Sequence, residues 1–220
     1  MYTYAFFHSS TPPLNVLAGI AGEVQVVENG QLSALVEPDL EIEVLQTDDS
    51  QLVQAVLTHD RMICELFWQT TIFPLRFGTC FVSQESLLEH LGTHQDSYLA
   101  KLARLDGKAE YRLKLTPCEL PVSAPPDVKG KQYSLAKKQQ YQDPQFLQEQ
   151  QSQLAQVFAS ISKIYDDYHI TEVKEGVEKL YLLVDRQQET QLYQHLQEWQ
   201  NQSSHWELML GEALPPYHFV

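Results

Sequence analysis

The segment EVQVVENGQLSALVEP, residues 23–38, decides the fold. Its two β-prone runs flank Asn29-Gly30, a dipeptide that marks a tight hairpin because both turn positions need left-handed backbone. Strands are expected near 23–28 and 31–37, and the aromatic run TYAFFHS just upstream supplies another over 2–8. Downstream the period changes. In DSQLVQAVLTHDRMICELFWQ, residues 49–69, Leu52, Val56, His59, Ile63 and Leu66 fall on one stripe at helical spacing, with Arg61 and Glu65 on the opposite side. A hairpin followed by a core-facing helix is an α+β pattern.

Next comes TTIFPLRFGTCF, residues 70–81, an apolar run with Arg76 in its middle. A guanidinium there must be exposed or partnered, because burying it alone is expensive. If 74–81 is extended, Leu75, Phe77 and Phe81 point one way and Arg76, Gly78 and Cys80 the other. The later segment GKAEYRLKLTP, residues 107–117, alternates as cleanly: Ala109, Tyr111, Leu113 and Leu115 share one face, and Lys108, Glu110, Arg112 and Lys114 the other. Were the two strands neighbours, Glu110 would be the natural partner of Arg76, on a polar face that Arg112 and Lys114 extend toward the second domain or a partner. The bland alternative is an ordinary exposed ion pair worth under about 1 kcal/mol.

Between these strands, Ser83 is placed to cap QESLLEHL, Thr93 with Asp96 resembles a capping box, and Gly107 is placed to end the second helix. The proline-rich CELPVSAPPDVKG, residues 118–130, then divides the chain. Expected units are an N-terminal α+β domain over 1–118, a linker over 119–130, a smaller α+β domain over 131–210 and an apolar tail over 211–220. In the second domain KQYSLAKKQQYQ reads as a short helix, and Asp143-Pro144 starts a longer one that runs toward Tyr168. Leu154, Val157, Phe158, Ile161, Ile164 and Tyr165 form its stripe, and its glutamines a solvated face. KLYLLVD is a strand, RQQETQLYQHLQEWQ a helix with Leu192, Leu196 and Trp199 aligned, and HWELML a strand. Both halves thus predict ferredoxin-like α+β units with helices packed on one side of a sheet. The tail GEALPPYHFV cannot be helical across Pro215 and Pro216, and Tyr217 and Phe219 give it apolar surface to dock, by expectation on the first domain.

Composition narrows the function. A chain of 220 residues, 43% apolar, can bury two cores. Its formal charge of −14 opposes a phosphate backbone, so nucleic acid is not expected as a partner, and no apolar stretch reaches the length of a membrane span. The N-terminus lacks the basic region of a signal peptide, and three cysteines without CxxC spacing read as reduced packing thiols of a cytoplasmic protein. His59 centres the apolar stripe while Arg61 and Glu65 point away, so these groups cannot converge for acid–base chemistry. The histidines show no ligand spacing, and Gly92 separates His90 from His94; no phosphate-loop, dinucleotide or nucleophile-elbow pattern is present. No catalytic residue, metal or cofactor is expected.

Five motifs in order, PLRFGTCF (74–81), GKAEYRLKL (107–115), GKQYSLAKK (130–138), YLLVDRQQ (181–188) and PPYHFV (215–220), together resemble the GvpF/GvpL family of gas vesicle proteins. Two positions depart from the family pattern: Gly211 is followed by Glu212, Ala213 and Leu214 instead of Pro-Trp, and position 111 is Tyr where Trp is common. The resemblance implies a two-domain α+β protein without enzymatic activity, an accessory or minor structural component of gas vesicles in the cytoplasm. It also implies binding to the small hydrophobic shell protein GvpA, and to other accessory proteins, during nucleation and assembly. Within the family motif, a fixed Arg76–Glu110 pair is implied, with Gly78 allowing a bulge beside it. The competing class is a stand-alone small-molecule-binding or enzymatic α+β protein.

Overall fold

Gly30 and Gln31 turn the chain between β2 (Gln25–Asn29) and β3 (Leu32–Glu37), with Gly30 in the left-handed region at φ 61°. The computed structural model describes residues 1–10, 13–42, 48–118, 144–171 and 176–220. The proline-rich linker, the short helix expected after it and the Asp143 cap lie outside the described residues. The first sheet runs β2-β3-β1-β4, with β1 (Tyr2–His8) antiparallel to both β3 and β4 (Ile72–Pro74). The chain divides into two compact units, Met1–Glu110 with Leu214–Val220, and Tyr111–Ala213.

A register shift between Thr3 and Ala5 makes Tyr4 an extra residue in β1. The bulge reverses parity. Tyr2 and Tyr4 both meet His59 of helix α1 (Asp49–Gln69), whereas Phe6, two residues further, joins the core on the opposite face. There Phe6, Ala34, Val36 and Phe73 pack against Leu87 and Leu91 of α2 (Gln84–Thr93) and Leu102 of α3 (Gln95–Leu105). Helices therefore cover both faces of the first sheet, where one-sided packing was expected. The physical reason is legible in β3, whose six residues are all buried, as a strand must be when neither face meets water.

Local signals set most element ends. Asp48 caps α1 by accepting from the backbone N–H of Ser50 and Gln51, and Ser83 caps α2 through Ser86. The expected Thr93–Asp96 box does not form: α2 runs through Thr93, and α3 starts after His94 without a side-chain cap. Gly107, at φ 69°, follows the end of α3. The buried line of α1 is Ala55, His59, Met62, Ile63, Leu66 and Phe67, so Val56 falls off the core and is 41% exposed.

The extended reading of 74–81 fails at a turn. Beyond β4 the Arg76 carbonyl accepts from the Thr79 N–H at 3.1 Å and the Thr79 hydroxyl at 2.7 Å, with Gly78 at φ 90° in the third position, the backbone of a type II turn. Cys80 then bridges to Tyr2. Parity carried across this turn does not hold.

The second sheet runs β6-β7-β5-β8. Its elements are β5 (Lys108–Pro117), α4 (Pro144–Ser162), β6 (Tyr168–Ile170), β7 (Glu178–Asp185), a 3₁₀ turn, α5 (Glu189–Gln202) and β8 (Trp206–Leu214). This β-α-β-β-α-β sequence with that strand order is the ferredoxin-like arrangement. The first sheet repeats the order, but the described residues between β1 and β2 hold no helix. Since β4 and β5 lie in different sheets, the neighbouring strands on which the Arg76–Glu110 reading depended do not exist. The short β6 was not anticipated, because the stripe of α4 was carried on to Tyr168. Gly211–Leu214, read as tail, complete β8.

Nor are the glutamines of this unit only a solvated face. Gln150 and Gln153 hydrogen-bond to His205 and Ser204, and the Gln200 amide donates to the Trp206 carbonyl at 2.8 Å while accepting from the Leu208 N–H at 2.9 Å. Gln200→Leu leaves both backbone groups unmet and is expected to lower stability by about 1–3 kcal/mol in urea unfolding, while Gln197→Leu, at an exposed position of α5, changes it by less than about 0.5 kcal/mol.

Candidate functional site

Glu37 ends β3 with a carboxylate that the fold buries. A buried carboxylate needs donors, and the chain 19–22 supplies them. The backbone N–H of Ile20 donates to Oε2 at 2.7 Å, those of Ala21 and Gly22 to Oε1 at 2.7 and 2.6 Å, and the Tyr4 hydroxyl to Oε2 at 2.6 Å. Gly19 permits this close approach, since a Cβ there would collide with the Glu37 carboxylate. Burial and the Glu37 carboxylate both push the Tyr4 hydroxyl far above the ordinary tyrosine range, so it stays a donor.

His59, 5% exposed, is fixed at both nitrogens. Nε2–H donates to the Leu75 carbonyl at 3.1 Å, which leaves Nδ1 to accept the Tyr2 hydroxyl at 2.6 Å. Burial lowers its pKa against the opposing pull of that carbonyl and of Asp60, and burial raises that of Tyr2. The pair is a neutral structural bridge from α1 to β1 and the turn, with neither ring nitrogen open for proton transfer.

The C-terminal segment closes the same unit. Pro215 and Pro216 are buried, and the N–H groups of Tyr217 and Phe219 turn back on the carbonyls of Pro215 and Pro216. The Tyr217 hydroxyl donates to Asp60 Oδ1 of α1 at 2.7 Å, and burial with that carboxylate drives its pKa far upward. Cys64 lies one turn further along α1, and burial, then Asp60, push its thiol up to about 11. His218 makes the firmest attachment. Its backbone N–H donates to Glu110 Oε2 and its Nδ1–H to Oε1, both at 2.8 Å, with the carboxylate 1% exposed and the imidazole 32%.

Beside this attachment lies a cleft of about 440 Å³ lined by Val56, His59, Asp60, Pro74, Leu75, Arg76, Phe77, Tyr217, His218 and Val220. Arg76 is exposed at the turn, and the partner shown for Glu110 is His218. Arg112 is exposed and Lys114 half-buried on β5, within the second unit, so they and Arg76 do not form one face of one sheet. Glu37, Asp60 and His218 were missed as functional positions. Glu37 carried a signal, a carboxylate closing an apolar strand with the small residues Gly19, Ala21 and Gly22 nearby; His218 stood inside a quoted motif without being singled out. Among the described residues no three His, Cys, Asp or Glu side chains gather as a metal-ligand group, and no helix is long and apolar enough to cross a membrane.

These features define an α+β protein of two units, each built on the same strand order, in which the polar groups described above brace the fold and the C-terminal segment. The chain belongs to the family of gas vesicle synthesis proteins GvpL/GvpF, whose model matches residues 1–220. It is similar to Gas vesicle protein F of Streptomyces sp. (strain CB03234), 28% identical over 117 residues that make up 51% of this chain and 47% of that one. The chain thus spans about half the length of the curated relative it matches. Its fold is similar to the crystal structure of the gas vesicle protein GvpF from Anabaena sp. PCC7120, with a TM-score of 0.70 at 16% identity over 99% of this chain and 94% of that one. The same holds for GvpF from Microcystis aeruginosa, with a TM-score of 0.70 at 17% identity over 99% and 97%.

Glu110→Gln turns one acceptor oxygen into a donor facing the His218 N–H groups, and is expected to cost about 1–3 kcal/mol. Deleting 215–220 removes both His218 hydrogen bonds to the same carboxylate and lowers the melting midpoint by roughly 2–8 °C in calorimetry. Protonation adds a second expectation. Because the native pKa of His59 is depressed, the unfolded chain binds this proton first as pH falls, so its contribution is present above about pH 6.5 and is lost below that. Urea titrations between pH 7.5 and 5 should show a flatter pH dependence for His59→Gln than for the natural chain.

Proposed function

We propose that this protein is an accessory or minor structural component of gas vesicles that binds the small hydrophobic shell protein GvpA during nucleation and assembly, and so supports buoyancy from within the cytoplasm. The observation that carries the reading is the family match over the whole chain. Charge supports it from another side: at −14 the chain repels copies of itself and offers little material for a water-repelling wall, which suits a component that accompanies the wall protein. The buried His59, Glu37 and Glu110, each already occupied by donors or acceptors of the fold, favour this reading over an enzymatic one.

Tagged full-length chain co-expressed with GvpA is expected to recover GvpA on affinity capture and to reduce its pelleted fraction. Failure of the two to associate, in cells and on co-expression alike, counts against the proposal. Detecting the chain on purified vesicles before and after surface stripping separates a component of the wall from a transient assembly partner.

A further inference from the structure

Among the groups lining the 440 Å³ cleft, most polar atoms are already engaged. His59 is bound at both nitrogens, Asp60 accepts from Tyr217, and His218 is committed to Glu110. Arg76 differs. It is exposed at the cleft edge, and no described residue pairs with its guanidinium, although acids outnumber bases 29 to 15 in this chain. The type II turn at 76–79 holds its backbone in place. Around it the walls are apolar: Pro74, Leu75, Phe77, Val56 and Val220.

The apolar surface does not stop at the cleft. Val53, Val56 and Leu57 are 56%, 41% and 57% exposed, and their spacing puts them side by side on α1. Such a run of exposed aliphatic side chains, leading into a cleft edged by a planar five-donor cation, is complementary to an elongated apolar segment with one acidic side chain. Arginine favours a carboxylate, which its fork holds in two parallel bonds.

We infer that the Arg76 cleft and the adjoining face of α1 seat a protein segment that presents one carboxylate among aliphatic side chains. This inference rests on the assembly reading above, and gives the chemistry of the surface by which the wall protein is held.

The test uses the full chain co-expressed with GvpA, in natural form and as Arg76→Glu, Arg76→Lys, Val56→Asp and, on the opposite side of α1, Gln51→Glu at an exposed position. Arg76→Glu and Val56→Asp should each reduce GvpA recovery about tenfold or more, Arg76→Lys should retain part of it, and Gln51→Glu should leave it unchanged. Melting midpoints should stay within a few degrees of the natural chain, because both cleft positions are exposed; this separates lost binding from lost folding. Exchanging one acidic residue of GvpA for Lys should restore recovery by Arg76→Glu. If the natural chain recovers GvpA and Arg76→Glu recovers as much, the seat is wrong and the assembly reading stands. If the natural chain recovers none, both fall. A photo-crosslinker at Phe77 that captures a second copy of this chain, and not GvpA, also overturns the seat.

Discussion

A carboxylate removed from water has to be met by donors, and in this protein Glu110 is the carboxylate on which the C-terminal segment depends. Both of its oxygens accept from His218, one from the backbone and one from the ring. That double contact fixes the segment on either side of His218. It brings the Tyr217 hydroxyl to Asp60 and leaves Pro215 and Pro216 buried behind it. From Asp60 the restraint passes one residue along α1 to His59, whose ring ties the helix to Tyr2 of β1 and to the Leu75 carbonyl. The segment, the long helix, the central strand and the turn after β4 thus share one connected set of hydrogen bonds.

Glu37 solves the same problem by another route within that unit. In the ferredoxin-like order a helix normally connects the first two strands, and the second unit keeps that helix as α4. Between β1 and β2 the described chain is irregular, and its backbone N–H groups, which a helix would have satisfied internally, turn to the Glu37 carboxylate. The acid replaces a helix's own hydrogen bonds as the element that orders the connection. Tyr4 completes the set from β1, where ordinary alternation puts it on the face of Tyr2 before the bulge turns Phe6 to the other.

Much of this was legible in residues whose meaning is local. Asn29-Gly30, the helical stripe of 49–69, Ser83 and Gly107 each act within a few positions of themselves, so propensity and spacing placed the hairpin, α1, the cap of α2 and the end of α3. The readings that failed needed information from further away. Alternation in 74–81 looked continuous because nothing in PLRFGTCF except Gly78 signals a turn, and the consequence of one left-handed residue is to void parity for everything after it. Sheet membership of 107–117 was invisible for a similar reason: alternation reveals that a strand has a buried face, not which sheet buries it. Glutamine was misread because its side chain serves equally well in water and as a brace to backbone groups, and only the fold decides between them, as at Gln200.

The Arg76–Glu110 reading shows how such an error propagates. The charge argument behind it was sound, since Glu110 is buried and required partners. Geometry supplied His218 instead, from a segment more than a hundred residues away, and parity could not have found it. Satisfying Glu110 from the C-terminal segment leaves Arg76 out at the turn, beside apolar walls to which that segment itself contributes through Val220. The cleft is therefore a product of the docking: a segment that failed to reach Glu110 would remove one wall, and an arginine that had paired with Glu110 would remove the cation. The internal stability of this unit and the shape of its cleft both depend on how one buried acid is met.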